Sequence, residues 1–270
     1  MSADIYHKPI EDGALVRLNR DHARDRYRLL ALFIPAYLQR IKARKRTHPV
    51  FIDLRAGTGK IKLNPSAAVY LTPPLIAHTT PRRATRHLYL ATAHPPEYDA
   101  LHQRLTPADH ATLWALPPAA AIDALTAQAD ATWTGLAYCD ADQWGLPWTV
   151  IAGLAQYPQI DLLIDLSPIK FGLRGGVMYD KEQVARLDTF YGGAGWRKVY
   201  QQVARDDRAT VAQALATRYR DQLRAAGYTH QRDERPDDDT RYHMLFVSQQ
   251  DRQDALWHST LQNLRQLPLF

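Results

Sequence analysis

Hydrophobic and polar positions along this chain follow two patterns, short apolar runs and longer stretches with helical spacing. The apolar runs predict buried strands, because leucine, aromatic and β-branched residues dominate them. They lie at residues 50–54, 87–91, 112–116, 135–139, 160–166 and 242–248. Helical spacing covers residues 19–45, 96–105, 119–131, 148–156, 181–190, 196–226 and 254–264. Strands and helices alternate from residue 50 to residue 166, which predicts an α/β fold with a doubly wound, mostly parallel Rossmann-like sheet and helices on both faces.

Proline and glycine positions indicate where these elements bend or stop. Pro35 is expected to kink or break the first helix, because proline has no backbone N–H to donate. The long helix at 196–226 is expected to be interrupted near residues 206–207 and to end at Gly227 as a C-cap. Three segments are expected to be irregular: a lead-in at residues 1–18, a proline-rich loop with one short helix at 63–81, and a charged connection at 228–241.

Length and composition predict one domain. A chain of 270 residues with 46% hydrophobic content can bury one large core. Within residues 1–270 we expect a loop- and helix-rich insertion at 167–241, before the last strand. Cys139 is the only cysteine, which excludes an intrachain disulfide and a cysteine-based zinc site. No apolar run reaches membrane-spanning length and no signal-peptide pattern is visible, so the expected location is cytoplasmic, without a membrane partner.

The charge balance permits a polyanionic partner. The formal net charge is +6 and the sequence pI is about 9.4, a modest basic excess. Basic residues cluster at 40–46 and 82–86, and Arg174 lies in a glycine-rich loop. Contact with DNA or RNA is one interpretation of these clusters. The alternatives are a helix end that complements its own dipole and scattered ion pairs with the 28 acidic residues.

The strongest candidate for a ligand site is the turn that follows the strand at 50–54. It begins with Asp53 and contains Gly57 and Gly59, which permit positive φ and close approach of a ligand to the backbone. In open α/β sheets, ligands bind beyond the carboxyl ends of the strands. An ordinary glycine turn after a core strand is the alternative.

Three nucleotide-binding motifs were compared with this turn. A phosphate-binding GxxxxGK[ST] loop requires Gly at position 54 and Ser or Thr at 61, where this chain has Leu54 and Ile61. A dinucleotide-binding GxGxxG motif requires a third glycine at 62, which is Lys62. The best fit is the first motif of class I S-adenosylmethionine (SAM) methyltransferases, an acidic strand residue followed by G-x-G.

Five segments carry a recognisable series of patterns, at residues 51–59, 73–77, 142–146 with Trp148, 186–196 and 242–248. Together they resemble the three-Cys-motif partner (TcmP) family, whose members look like class I methyltransferases. In the same order, the family patterns are Y-I-D-x-F-A-G-x-G, S-P-L-x-A, D-P-Y-G-L followed by an aromatic residue, R-x-D-x-x-F-G-x-x-x-W, and a closing strand. The resemblance spans residues 20–260 and implies a methyltransferase-like domain.

The resemblance also implies a cofactor, a reaction and partners. SAM would bind at Asp53, Ala56, Gly57, Thr58 and Gly59. In amino-methylating enzymes the fourth motif accepts hydrogen bonds from an exocyclic amine and stacks an aromatic ring on a flipped base. In this sequence the corresponding residues are Asp142 and Trp144; the alternative roles are a helix cap and a core residue. Family members are named for a cysteine-rich protein encoded beside them, which is a possible partner.

Departures from the family pattern favour a second hypothesis. The region after strand two has no carboxylate before Glu97, although SAM sites usually place an acid there to hold the ribose hydroxyls. No acid follows strand three at residues 116–118, Gln143 replaces a proline, and Arg55 replaces an aromatic residue. The chain is therefore predicted to be either a SAM-dependent nucleic-acid methyltransferase or a catalytically degenerate relative that binds nucleic acid or a neighbouring protein.

Overall fold

The computed structural model describes most of the chain. The described residues are 6–7, 11–20, 23–42, 48–81, 87–106, 109–140, 146–166, 180–203, 208–234, 244–250 and 254–266. Within them the strands are β1 (Tyr6–His7), β2 (Val16–Arg20), β3 (His48–Asp53), β4 (Lys60–Asn64), β5 (Val69–Leu71), β6 (His87–Ala91), β7 (Ala111–Trp114), β8 (Trp133–Asp140), β9 (Ile160–Asp165), β10 (His230–Glu234) and β11 (Met244–Ser248). The helices are α1 (Arg24–Lys42), α2 (Pro73–Thr79), α3 (Pro95–Leu105), α4 (Pro118–Thr126), α5 (Trp148–Leu154), α6 (Lys181–Phe190), α7 (Trp196–Val203), α8 (Arg208–Ala225) and α9 (Asp254–Gln266).

The main sheet has seven strands in the order β10-β11-β9-β8-β3-β6-β7 and is flanked by helices. Strand β3 is parallel to both of its neighbours, with Asp53 opposite Leu90 of β6 and Tyr138 of β8. Strand β11 is antiparallel to β9 and to β10. Because the chain leaves β3 for β6 and β7 on one side and reaches β8 on the other, β3 lies where the strand order reverses. This confirms the predicted doubly wound, mostly parallel sheet.

A second sheet, in the order β1-β2-β4-β5, replaces two segments that were predicted to be irregular. Strand β2 lies in the predicted lead-in and pairs in parallel with β4, while β5 lies in the predicted proline-rich loop and pairs antiparallel with β4. Residues 16–18 of the lead-in, which was expected to be irregular or lightly structured, thus belong to a strand. The proline-rich loop contains strand β5 in addition to the predicted short helix, which is α2. Strand β4 buries its alternate residues Ile61 and Leu63, and β2 buries Val16, so the centre of this sheet packs against the protein interior. The pairing of β2 with β4 joins residues that are distant in sequence, which a local pattern does not reveal.

Helix α1 runs through Pro35 without a break, so the prediction that this proline could break the helix is wrong. Packing on both sides of the proline holds the helix. Phe33 is buried and meets Trp257 of α9 edge-on, with ring centroids 4.9 Å apart. The buried Tyr37 hydroxyl donates a 3.0 Å hydrogen bond to the Gly135 carbonyl in β8. These contacts outweigh the loss of one backbone donor, which costs about 3 kcal/mol in a helix interior.

The chain divides into two compact units. Residues 1–138 with 253–270 form the first unit, and residues 139–252 form the second. That the two units form one functional domain stays a prediction. No helix among the described residues is long and apolar enough to cross a membrane.

The second unit contains α5 to α8 and strands β9 to β11. The long helical segment comprises two helices, α7 ending at Val203 and α8 beginning at Arg208. The predicted interruption near residues 206–207 lies outside the described residues. Gly227 has a φ of +99°, and its amide donates to the Arg224 carbonyl as expected for a glycine that ends a helix. The charged connection predicted at 228–241 instead contains β10, which pairs antiparallel with β11. That strand is polar because it forms the edge of the sheet.

Candidate functional site

Two hydrogen bonds hold the glycine turn after β3 in place. Asp53 is buried at the end of β3, and its Oδ1 accepts a 2.9 Å hydrogen bond from the Arg55 amide. The Ala56 amide donates a 2.9 Å bond to the carbonyl of Ala91, the last residue of β6. The turn therefore lies at the carboxyl ends of two adjacent parallel strands, the edge at which ligands bind in open α/β sheets.

The two glycines of the turn have different surroundings. Gly57 and Gly59 have φ values of +61° and +83°, which agrees with the expected positive φ. A Cβ on Gly59 would lie 2.9 Å from side-chain atoms of Leu75 and Leu101. Gly59 therefore permits close packing of α2 and α3, and its predicted contact with a cofactor stays a prediction. A Cβ on Gly57 would have no atom within 4 Å, so the open side of the turn is at Gly57.

The side chains of Ala56 and Thr58 are buried within the turn. The Thr58 hydroxyl donates a 2.5 Å hydrogen bond to the Lys60 carbonyl, and the Thr58 carbonyl accepts a 2.6 Å bond from Arg104 Nη1. Both groups of Thr58 thus maintain the shape of the turn. Of the five cofactor-binding residues predicted from the sequence, Gly57 has open space beside it. Ala56, Thr58 and Gly59 are packed against other residues and maintain the shape of the turn.

Arg104 of α3 holds the turn against the segment that precedes β2, a contact that the sequence analysis missed. The Arg104 side chain is 4% exposed, and its Nε and Nη2 donate to the two carboxylate oxygens of Asp12 at 2.9 and 3.0 Å. It also donates to the carbonyls of Leu15 and Ala14. Lys60 Nζ lies 2.8 Å from Asp12 Oδ2. The Arg104 hydrogen bonds, followed by that of Lys60, hold the pKa of Asp12 well below its usual value.

The end of β6 carries an acid that the sequence analysis did not assign to the site. Pro95 and Pro96 begin α3, and Glu97 follows in its first turn, where a negative charge complements the helix dipole. The Thr92 hydroxyl, one residue beyond β6, donates a 3.0 Å hydrogen bond to Glu97 Oε2. Glu97 is half-buried. A carboxylate is therefore held at the end of the strand next to β3, five residues after the position at which the family pattern suggested one.

Other predicted site residues fall outside the described part of the chain. These are Asp142 and Trp144, the basic residues 43–46, the cluster at 82–86, and Arg174. Arg40, from the first basic cluster, is described and exposed at the end of α1. The proposed roles of Asp142 and Trp144 stay predictions.

The segment that resembles the family's R-x-D-x-x-F-G-x-x-x-W block is described in full. Asp188 Oδ1 accepts a 2.9 Å hydrogen bond from Trp196 Nε1, and the Asp188 carboxylate is paired with the Arg197 guanidinium. The Arg197 hydrogen bond lowers the pKa of Asp188. The Asp and Trp positions of this block therefore bind each other and connect the end of α6 to the start of α7.

Three histidines lie near the start of β6. The rings of His78 and His110 are stacked with centroids 5.3 Å apart. His87 Nε2 lies 2.8 Å from the Thr112 hydroxyl. Burial, followed by the proximity of His110, lowers the pKa of His87. In the described ranges, no group of three or more His, Cys, Asp or Glu side chains is placed to hold a metal ion.

Comparisons with known proteins inform the fold only. No protein-family model matches the chain, and no curated protein matches it. The crystal structure of protein LPL1258 from Legionella pneumophila, of family DUF519, is similar with a TM-score of 0.58 and 12% identity, over 89% of this chain and 90% of that one. A human methyltransferase 10 domain containing protein matches with a TM-score of 0.43 and 11% identity, over 82% of this chain and 83% of that one. At that score the second likeness adds no argument.

The strand order supplies the fold assignment. The sheet is doubly wound, with β3 at the point of reversal and with β11 inserted antiparallel between β9 and β10. Membership of the TcmP family, the cofactor and the substrate are questions that the fold alone does not answer.

Proposed function

We propose that this protein is a SAM-dependent methyltransferase that acts on nucleic acid, at the exocyclic amine of a base. The observation that carries the proposal is an open glycine turn at Gly57 combined with a carboxylate, Glu97, held at the end of the adjacent strand. SAM needs both features, because its ribose offers two hydroxyl donors and its methionine portion requires room beside the backbone.

The residues of the turn and of α3 would hold the cofactor. Glu97 would accept hydrogen bonds from the ribose hydroxyls, and charge-assisted hydrogen bonds of this kind are strong. Thr92 orients the Glu97 carboxylate through its hydroxyl. The open side of Gly57 would leave room for the methionine portion. When bound, SAM supplies an activated methyl group on a sulfonium.

The target base would be held by the segment that follows β8. Tyr138 of β8 is the register partner of Asp53, and Asp142 and Trp144 come a few residues later. In this proposal Asp142 accepts hydrogen bonds from the target amine and Trp144 stacks on the flipped base. The protein's task is mainly to position the amine in line with the methyl group, so no strongly basic catalytic residue is required.

The resemblance to the TcmP family supports the same proposal and adds a possible partner. On that resemblance the partner would be a cysteine-rich protein encoded nearby. The cytoplasmic location expected from the sequence is part of the same proposal. The basic residues at 40–46 and 82–86 would contact the phosphates of DNA or RNA.

A second candidate function is a degenerate methyltransferase-fold protein that binds nucleic acid or a protein partner without catalysis. Two observations favour it. Residues 116–118, which follow β7, contain no carboxylate to contact an adenine. The space beside Gly59 is filled by Leu75 and Leu101.

Calorimetric titration with SAM and with its demethylated product, S-adenosylhomocysteine, separates the two functions. We expect both compounds to bind the wild-type protein. Glu97→Gln should weaken binding about tenfold or more, because a hydrogen bond to a charged group contributes about 1.5–3 kcal/mol. The matched control is Asp99→Asn, an exposed acid on the same helix, which should bind like wild type. No heat of binding at millimolar ligand would exclude the methyltransferase and leave the degenerate protein.

A further inference from the structure

The turn between α6 and α7 brings an aromatic ring and a guanidinium to a glycine-rich segment. It contains Gly192, Gly193 and Gly195, all exposed. A Cβ on Gly192 would lie 2.7 Å from Cδ1 of Trp148, and a Cβ on Gly195 would lie 2.7 Å from Nη2 of Arg218. Around Gly193 there is open space, since a Cβ there would meet no atom within 4 Å. A side chain at position 192 would therefore displace Trp148, and a side chain at position 195 would displace Arg218.

Among the described residues, no carboxylate forms an ion pair with the half-buried Arg218. Its Nε is buried and has no hydrogen-bond partner in that part of the chain. Asp188, near the end of α6, is already engaged by Trp196 and Arg197. A guanidinium whose Nε is desolvated in this way is costly to maintain, and its planar fork of donors matches the oxygens of a phosphate.

The helices around this turn carry an excess of positive charge. Residues 180–203 and 208–225 contain eight Arg or Lys and four Asp or Glu. Each of the four carboxylates is bonded to another group of the protein. These carboxylates are Asp180, which caps α6, and Glu182, Asp188 and Asp221, which pair with Arg186, Arg197 and Arg224. The net positive charge of these helices favours a polyanion over a basic or neutral partner.

Trp148 adds an apolar platform at the other end of the turn. Its half-buried ring meets the fully buried Tyr219 edge-on, with centroids 5.7 Å apart. Tyr219 is in turn stacked on Phe190 at 4.6 Å, so the indole rests on a rigid aromatic support. Proteins that bind single-stranded nucleic acid combine aromatic rings for the bases with cations for the backbone.

We propose that Trp148, the 192–195 turn and Arg218 form a contact site for one strand of nucleic acid. Arg218 binds a backbone phosphate across the open side of Gly193, and Trp148 stacks on a base. The inference rests on the proposed function, because the strand would be the one that carries the methylated base. It adds strand-binding residues that act independently of the cofactor.

Fluorescence anisotropy with a labelled single-stranded oligonucleotide tests the site without SAM. Arg218→Gln should weaken binding about tenfold, the low end of what a hydrogen bond to a charged group contributes. It should also lower the slope of log affinity against log salt by about 0.7, the value for one phosphate contact on a single strand. The matched control is Arg224→Gln, which removes an arginine from the same helix that is already paired with Asp221.

An abasic strand separates the two contacts. Trp148→Leu keeps apolar packing against Tyr219 and should weaken binding of the ordinary oligonucleotide about fivefold or more, the effect of losing one stacked base. It should leave binding of the abasic strand unchanged, whereas Arg218→Gln should weaken both. Circular dichroism and thermal melting establish that each variant is folded.

The outcomes also separate this site from the proposed function. Equal losses in folded Arg218→Gln and Arg224→Gln, or no binding of the oligonucleotide to wild type at low salt, would overturn the inference. If S-adenosylhomocysteine does not bind but the predicted oligonucleotide pattern appears, the strand site stands and the methyltransferase does not.

Discussion

The most direct test of the candidate cofactor site compares two glycines that share a backbone conformation. Gly57 and Gly13 have φ values of +61° and +68°, and a Cβ on either would meet no atom within 4 Å. Gly57 lies in the proposed cofactor site, whereas Gly13 is itself exposed and lies in the segment before β2, outside that site. Gly57→Asn and Gly13→Asn therefore impose the same backbone change, and only the first places a side chain where the ligand would lie.

The expected magnitudes follow from this geometry. Asparagine tolerates the left-handed region better than other residues, so the strain is expected to be below the roughly 1–2 kcal/mol typical of an L-residue there. Each variant should lose at most about 1 kcal/mol of unfolding free energy, equivalent to about 2–4 °C in Tm for a protein of this size. Valine would confound the test, because a β-branched residue at positive φ is strongly strained.

The assay is calorimetric titration of S-adenosylhomocysteine into wild type and both variants, after melting curves establish that all three are folded. Gly57→Asn should weaken binding at least about tenfold, or 1.4 kcal/mol, because the amide occupies space that the ligand needs. Gly13→Asn should bind like wild type. Equal affinities in the two folded variants would show that the ligand does not lie against Gly57 and would refute the reasoning.

Three further predictions concern stability. Arg104→Ala should lower the unfolding free energy by about 3 kcal/mol in urea titration, because it leaves the Asp12 carboxylate without its main partner. Arg104→Lys should recover only part of the lost stability. Gly135→Ala should lower the free energy of unfolding by more than about 3 kcal/mol through overpacking, because the added Cβ would lie 2.1 Å from the Val50 carbonyl oxygen. A soluble variant with the wild-type Tm would contradict this. Burial lowers the pKa of His87 in the folded protein. Its contribution to the free energy of unfolding is therefore complete above the pKa of the unfolded state and is lost as pH falls through the pKa of the folded state. Wild type should therefore lose more stability than His87→Gln between about pH 7.5 and pH 5, and parallel curves would contradict the assignment.

The main sheet could be predicted from the sequence because its strands are buried. Runs such as Phe51-Ile52 and Leu162-Leu163 are fully buried in the structure, and no other local structure would bury them as well. The end of α8 could be predicted for a different reason, because Gly227 takes the positive φ that a helix C-cap favours. Strand β10 was missed because it forms an edge, where the pattern of its side chains is not fixed by a core on both sides.

Features that depend on distant residues could not be predicted. The pairing of β2 with β4, and the hydrogen bonds from Arg104 to Asp12, join positions separated by about forty to ninety residues. Glu97 was visible in the sequence, but its position beside Thr92 at the end of β6 depends on where α3 begins. Pro35 is tolerated because of the core around α1, and propensity alone carries no information about that core.

The elements that follow the glycine turn determine which backbone N–H groups could donate hydrogen bonds to a ligand bound there. In many α/β proteins a helix begins at such a turn, and its free N–H groups contribute to ligand binding. Here strands β4 and β5 follow, and α2 begins only at Pro73, with a second proline after it. Neither proline has an N–H to donate, and the Thr72 amide before them is bonded to the Gly59 carbonyl. A ligand at this turn therefore has few donors from α2.

Recognition would then depend on Glu97 and on the space beside Gly57. A double-mutant cycle measures whether these two residues act on one ligand. If Glu97 contacts the ribose and Gly57 borders the methionine portion of the same bound molecule, the ligand displaced by Gly57→Asn can no longer reach Glu97. Glu97→Gln should then cost clearly less in the Gly57→Asn background than in wild type, with a coupling of about 0.5 kcal/mol or more. Additive losses would mean that the two residues do not share a rigidly held ligand.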